Sequence, residues 1–91
     1  MRIEVGVPGL LADCTGGRAK FPLEADTLKE ALDRLFADYP LLKRHVYDET
    51  GKVRKHVLLC YNKDNIDWLD SLDLPLQPGD KLFVMQLVSG G

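Results

Sequence analysis

Residues 2–7 alternate. Ile3, Val5 and Val7 take one face, and Arg2, Glu4 and Gly6 the other. A period of two predicts a half-buried strand. Pro8-Gly9 ends it, and residues 9–17 form a loop closing on Gly16-Gly17. Lys20–Glu24 alternates again, with Phe21 and Leu23 on one face. Pro22 has no N–H for a ladder, so this strand belongs at a sheet edge. The two strands and their loop read as a hairpin.

The period then changes. Leu28, Ala31, Leu32, Leu35, Phe36 and Tyr39 form one stripe of an α-helix, with Lys29, Glu30, Asp33, Arg34 and Asp38 opposite. Thr27 and Glu30 form a capping box, with Asp26 as a rival N-cap. Pro40 stops the helix. Leu41–Asp48 is ambiguous, reading as a turn of helix and then a short extended piece. Residues 49–52 form a turn, and Val53–Tyr61 reads as a long strand. Asn62–Asn65 is a polar turn, and Ile66–Leu76 is irregular and acidic. Pro78-Gly79-Asp80 is a tight turn before a final strand, Lys81–Leu87. The order is strand, strand, helix, strand, irregular segment, strand. One main helix covers one face of a mixed sheet of four to five strands, which makes a two-layer α+β domain over residues 1–87, with 88–91 as a flexible tail.

Two strands do not fit a sheet with one wet face. Val57, Leu59 and Tyr61 alternate with Leu58 and Cys60, and Leu82 and Val84 with Phe83, Met85 and Leu87. If Leu82 and Val84 face the helix, Leu58, Phe83, Met85 and Leu87 face outward. A contiguous exposed apolar patch marks a partner site, and methionine suits such adaptable surfaces. The alternative is that loop 9–17 or segment 66–76 folds over this face.

Composition narrows the function classes. Twelve Lys and Arg against 14 Asp and Glu leave a net charge of −2, which argues against nucleic acid as a partner. No apolar run approaches the roughly 20 residues of a membrane span. Met1 leads directly into a strand pattern, so no secretory leader is expected. Cys14 and Cys60 are too few for a secreted disulfide scaffold, which points to a reducing, cytoplasmic setting. Cys14, His45, His56 and Cys60 contain only one near pair, and no metal site is expected. A Cys-His nucleophile lacks an orienting third residue. Asp64, Asp67, Asp70 and Asp73 read as a solvated loop, and Lys43, Arg44, Lys52, Arg54 and Lys55 as a solvated hairpin. Trp68 either caps an end of the core or lies on a docking surface.

Gly90 and Gly91 close the chain, three and four residues past the last apolar strand. Glycine has no Cβ, so such a tail can thread a narrow channel and present a bare carboxylate. A carboxylate is a poor electrophile until adenylated. A sulfur nucleophile then gives a thiocarboxylate, and a lysine amine an isopeptide.

The element order, the Pro78-Gly79-Asp80 turn and the terminal Val88-Ser89-Gly90-Gly91 resemble the ubiquitin-like β-grasp sulfur carriers. These include the thiamin sulfur carrier, the small subunit of molybdopterin synthase and the cysteine-type carriers. Tyr61-Asn62 is similar to the family's Val-Asn strand end. Pro8 and Thr15-Gly16-Gly17 resemble the longer first loop of the molybdopterin-type and cysteine-type members. The resemblance implies a carrier with no catalytic residues and no bound cofactor. It implies a ubiquitin-activator-like adenylyltransferase that docks on the exposed sheet face and uses ATP. Gly91 would carry the adenylate and then the thiocarboxylate, and Gly90 would give clearance. A sulfur-accepting synthase, the molybdopterin synthase large subunit or a cysteine-type synthase, would take up the tail. Leu58, Phe83, Met85 and Leu87 would support docking. Two other readings stay open: a protein modifier joined to lysines through Gly91, and a plain interaction module whose terminal glycines are incidental.

Overall fold

The first two strands form as their alternation requires, in a computed structural model that describes residues 1–86. β1 (Arg2–Gly6) pairs antiparallel with β2 (Lys20–Glu24), Ile3 opposite Leu23 and Val5 opposite Phe21. β3 (Val57–Tyr61), β4 (Asp64–Asn65) and β5 (Lys81–Gln86) complete a five-stranded sheet in the order β2-β1-β5-β3-β4. Pro22 thus sits on an edge strand. β5 is central, parallel to β1 and antiparallel to β3. This is the β-grasp topology that the resemblance implies.

One face of the sheet carries Ile3, Val5, Phe21, Leu23, Val57, Leu59, Leu82 and Val84 into a single core. The predicted helix, α1 (Leu28–Asp38), supplies Leu28, Ala31, Leu32, Leu35 and Phe36 to it. Leu28, Leu35, Leu42, Leu59 and Leu82 are fully buried, each contributing roughly 2 kcal/mol by removal from water.

Pro40 ends α1 and also begins α2 (Pro40–Val46) as its first residue. Proline is tolerated there because the first N–H of a helix has no partner to lose. The ambiguous stretch is therefore helical to Val46, burying Leu42 and Val46, and then extended at Tyr47, in the order read from the sequence. The long strand predicted from Val53 is shorter, starting at Val57. Val53 instead bridges to Tyr47, and the Arg54 N–H donates to the Val46 carbonyl at 2.9 Å. Asp48 Oδ1 closes the intervening turn, accepting from the N–H groups of Thr50 (2.8 Å) and Lys52 (3.1 Å). Residues 47–54 thus follow α2 rather than the sheet. The polar turn expected at Asn62–Asn65 contains β4, a two-residue strand paired with Cys60 and Tyr61.

The capping box forms by half. Thr27 Oγ1 accepts from the Glu30 N–H at 3.2 Å, while the Glu30 carboxylate turns to Arg34 at 3.4 Å. Segment 66–76 supplies the rest of the cap. The N–H groups of Leu28 and Lys29 donate to the carbonyls of Leu74 and Leu72, both at 2.9 Å. The donors that every helix start leaves open are therefore met from across the chain. This pins segment 66–76 to the helix layer, where Ile66 and Leu76 join the core. Loop 9–17 goes the same way. Its 3₁₀ turn, Gly9–Thr15, packs on α2 and buries Leu11 and Thr15. The Thr15 hydroxyl lies 2.6 Å from the Arg18 carbonyl and 3.1 Å from that of Ala12, so the one buried polar side chain among the described residues is satisfied.

Candidate functional site

With both segments held in the helix layer, the opposite sheet face has two halves. The β2–β1 half carries Arg2, Glu4, Lys20, Pro22 and Glu24 outward, all exposed. The β5–β3 half is apolar. Leu58 stands opposite Met85, and Cys60 opposite Phe83. Met85 is 49% exposed, and Leu58, Cys60 and Phe83 are half-buried. On the other side of β5, Phe83 is in register with Gly6. A Cβ on Gly6 would lie 3.1 Å from Phe83 Cδ1, so this glycine is the seat on which the ring rests. Alternation thus brings Leu58, Phe83 and Met85 together on one surface, with Cys60 between them. Leu87, Gly90 and Gly91 lie outside the described residues.

The strands beneath this surface are locked at one end by a network that the sequence did not announce. The Tyr61 hydroxyl donates to Asp80 Oδ2, which also accepts from the Gln77 N–H at 2.8 Å. Asn62 Nδ2 donates to Asp80 Oδ1 at 3.2 Å, and Asn62 Oδ1 accepts from the Lys81 N–H at 2.9 Å. Asn62 holds a left-handed φ of 54°, which asparagine tolerates better than most residues. Gly79, at φ 89°, makes the Gln77–Asp80 turn possible. The end of β3 is thereby clipped to the start of β5. Each residue looks like an ordinary turn former alone; the signal becomes visible only once β3 and β5 are known to be neighbours.

The network shifts two titrations. Burial, then the bond to Asp80 and its charge, pushes Tyr61 up to about 12. At Asp80, partial burial works upward but is outweighed by bonds from Tyr61, Gln77 and Asn62, and the carboxyl is held below its ordinary 3.8. A depressed carboxyl stabilises the fold above its unfolded value and loses that contribution as pH falls through the folded value. Asp80→Asn is expected to destabilise the protein by about 1–2 kcal/mol at pH 7, allowing for solvent screening. Denaturant titrations should show this gap narrowing once the pH is below the ordinary carboxylate range. A gap independent of pH would contradict the assignment.

The remaining candidates separate in space. Burial pushes the Cys60 thiol up, which disfavours the thiolate, and Cys14 is half-buried without a disulfide. Among the described residues, no three His, Cys, Asp or Glu side chains gather as a metal set. Asp64, Asp67, Asp70 and Asp73 are exposed, as are Lys43, Arg44, Lys52, Arg54 and Lys55. Trp68 is 74% exposed and does not cap the core. Among the described residues, no helix is long and apolar enough to cross a membrane.

Comparison with known proteins bears on this surface. The ThiS family profile matches residues 5–91. The sulfur carrier protein CysO of Mycobacterium tuberculosis (strain H37Rv) is 26% identical over 93 residues, covering all of both chains. SAMP1 from Haloferax volcanii superposes with a TM-score of 0.74 at 26% identity, again over all of both chains. CysO from Amycolatopsis orientalis, solved in complex with BexX, superposes with a TM-score of 0.76 at 22% identity, over 98% of this chain and 99% of that one.

Proposed function

Because the chain belongs to the ThiS family, we propose that it is a sulfur carrier that holds sulfur as a thiocarboxylate on Gly91. The observation that carries this reading is that the family match runs through to Gly91, so that Gly90 and Gly91 fall inside it. The name of the M. tuberculosis relative, a sulfur carrier of matching length, supports it.

The chemistry needs two partners. On a ubiquitin-activator-like adenylyltransferase, a Gly91 carboxylate oxygen attacks the α-phosphorus of ATP and pyrophosphate leaves. Hydrosulfide, or sulfur supplied through a persulfide relay and released by a thiol, then attacks the carbonyl carbon and expels AMP. An acceptor synthase takes up the tail and uses the thiocarboxylate sulfur as nucleophile. This chain supplies no acid or base to these steps. It contributes a reacting carboxylate without a flanking side chain, and the Leu58–Phe83–Met85 surface for the activator to grip. Binding energy from that remote surface would position the reacting carbonyl. A domain of this size has no need of its own cleft, because its terminus enters the clefts of others.

Co-expression with each candidate adenylyltransferase, followed by intact-mass measurement, tests the reading. The expected result is the mass gain of one oxygen-to-sulfur exchange, dependent on one activator. The acceptor pathway, in molybdopterin, cysteine or related biosynthesis, follows from which synthase removes the sulfur.

The likeness to SAMP1, a small archaeal modifier protein, favours a second reading on the same activation chemistry. A lysine amine would replace sulfur as nucleophile and form an isopeptide with Gly91. Peptides carrying a lysine-linked Gly-Gly remnant in cell digests would support it.

A further inference from the structure

The described part of β5 ends at Gln86, opposite Val57. A shallow depression of about 320 Å³ adjoins this point, lined by Leu11, Val57 and Gln86 and by Arg44, His45, Arg54 and His56. We infer that these four side chains form a basic rim beside Gln86, and that the rim docks an acidic surface of the adenylyltransferase, at the mouth of the cleft that takes the residues after Gln86. This deepens the carrier reading and rests on it.

Two elements build the rim. Arg44 and His45 come from the last turn of α2, where the Arg44 cation complements the helix dipole. That explains their presence on a helix end but not the second pair. Arg54 and His56 come from the segment before β3. Arg54 is fastened to α2 twice, by its N–H to the Val46 carbonyl at 2.9 Å and by Nε to the Arg44 carbonyl at 3.1 Å. The four are exposed, and among the described residues none has a carboxylate within ion-pairing distance. Asp48, the nearby acid, is turned into its own loop by Thr50 and Lys52, and the Arg54 charge is the smallest of the influences on it.

The charge is local. Between residues 43 and 56, five Lys and Arg stand against two acids, in a chain whose net charge is −2. The rest of the molecule is therefore acidic, which disfavours a nucleic acid wrapping this end and favours a small complementary protein patch. Gln86 lines the same depression, so a partner that takes up the chain from Gln86 onward has this rim beside it. An acidic mouth would be steered to it and oriented by it, and a basic one would be repelled.

The test measures sulfur loading by the adenylyltransferase that produces the mass gain, comparing the wild type with Arg44→Glu/His56→Glu. Neither side chain is buried or holds the fold together, and thermal melting checks that both proteins are folded. Lys63→Glu, at the other end of β3, is the charge control. The expected result is a fall in kcat/KM of about tenfold or more for the double variant, mostly in KM, and a change within about twofold for the control. The difference should shrink in about 0.5 M salt, where screening is strong. Titration of isotope-labelled protein with an oligoglutamate peptide should shift the backbone amides around Arg44 and Arg54. A double variant that loads within twofold of the wild type overturns the inference while the carrier reading stands. Tighter binding of oligothymidylate than of oligoglutamate at the rim overturns the choice of a protein partner. A wild type that never gains the mass overturns the carrier reading and this inference with it.

Discussion

Deletion of Gly90 and Gly91 is expected to abolish activation, with ATP–pyrophosphate exchange falling by at least about a thousandfold and thermal stability unchanged. The two halves of this expectation have separate causes. The reacting carboxyl would be displaced to Ser89, two residues nearer the domain, with a side chain at its α-carbon. A misplaced nucleophile loses the proximity to the α-phosphorus on which such a reaction depends. Stability is held by the core, to which β5 contributes Leu82 and Val84, both ahead of the deletion. Gly91→Ala should be milder, since it keeps the carboxyl in register and adds one methyl beside the carbonyl. A truncated protein that is still adenylated would show that the terminal glycines are incidental.

The second large effect is expected on the apolar half of the open face. Met85→Glu, or Leu58→Glu on the paired strand, should raise the KM for activation about ten- to a hundredfold, as loss of a central interface residue does. Met85 is 49% exposed, so its replacement should move folding stability by no more than about 0.5 kcal/mol. Leu59→Ala provides the contrast. Leu59 lies on the same strand as Leu58 but points inward and is fully buried, so the expected cost is about 2–5 kcal/mol of stability. If Met85→Glu and Leu58→Glu load sulfur like the wild type, the activator grips another surface.

The parts of this structure legible in the sequence are those governed by local period. The α1 stripe from Leu28 to Tyr39 and the alternation of Arg2–Val7 and Lys20–Glu24 need no knowledge of neighbours. The outward direction of Phe83 and Met85 followed from the same alternation once Leu82 and Val84 were taken as inward. What covered that face was not legible, because it turned on where segment 66–76 goes. That is decided by the Leu72 and Leu74 carbonyls meeting open N–H groups at the start of α1, a match between positions more than forty residues apart. Pro40 stops α1 as read, but a proline that stops one helix can begin the next, and how far that next helix runs is decided by the packing of Leu42 and Val46. Val53 carries strand propensity but spends it on a bridge to Tyr47. The Tyr61–Asn62–Asp80 network, and the gathering of Arg44 with Arg54 and His56, depend on tertiary adjacency that no spacing encodes. The basic stretch read as a solvated hairpin is indeed exposed, but its position beside the end of β5 is a property of the fold.

The central claim is that sulfur is carried on the terminal carboxylate of Gly91, and the mass of the loaded protein tests it most directly. The purified chain is incubated with its adenylyltransferase, ATP and sulfide, treated with dithiothreitol and fragmented. The account predicts one oxygen-to-sulfur exchange, resistant to the thiol and localised to the C-terminal glycine. A protein of unchanged mass after this incubation, with Gly91 still a plain carboxylate, would contradict it.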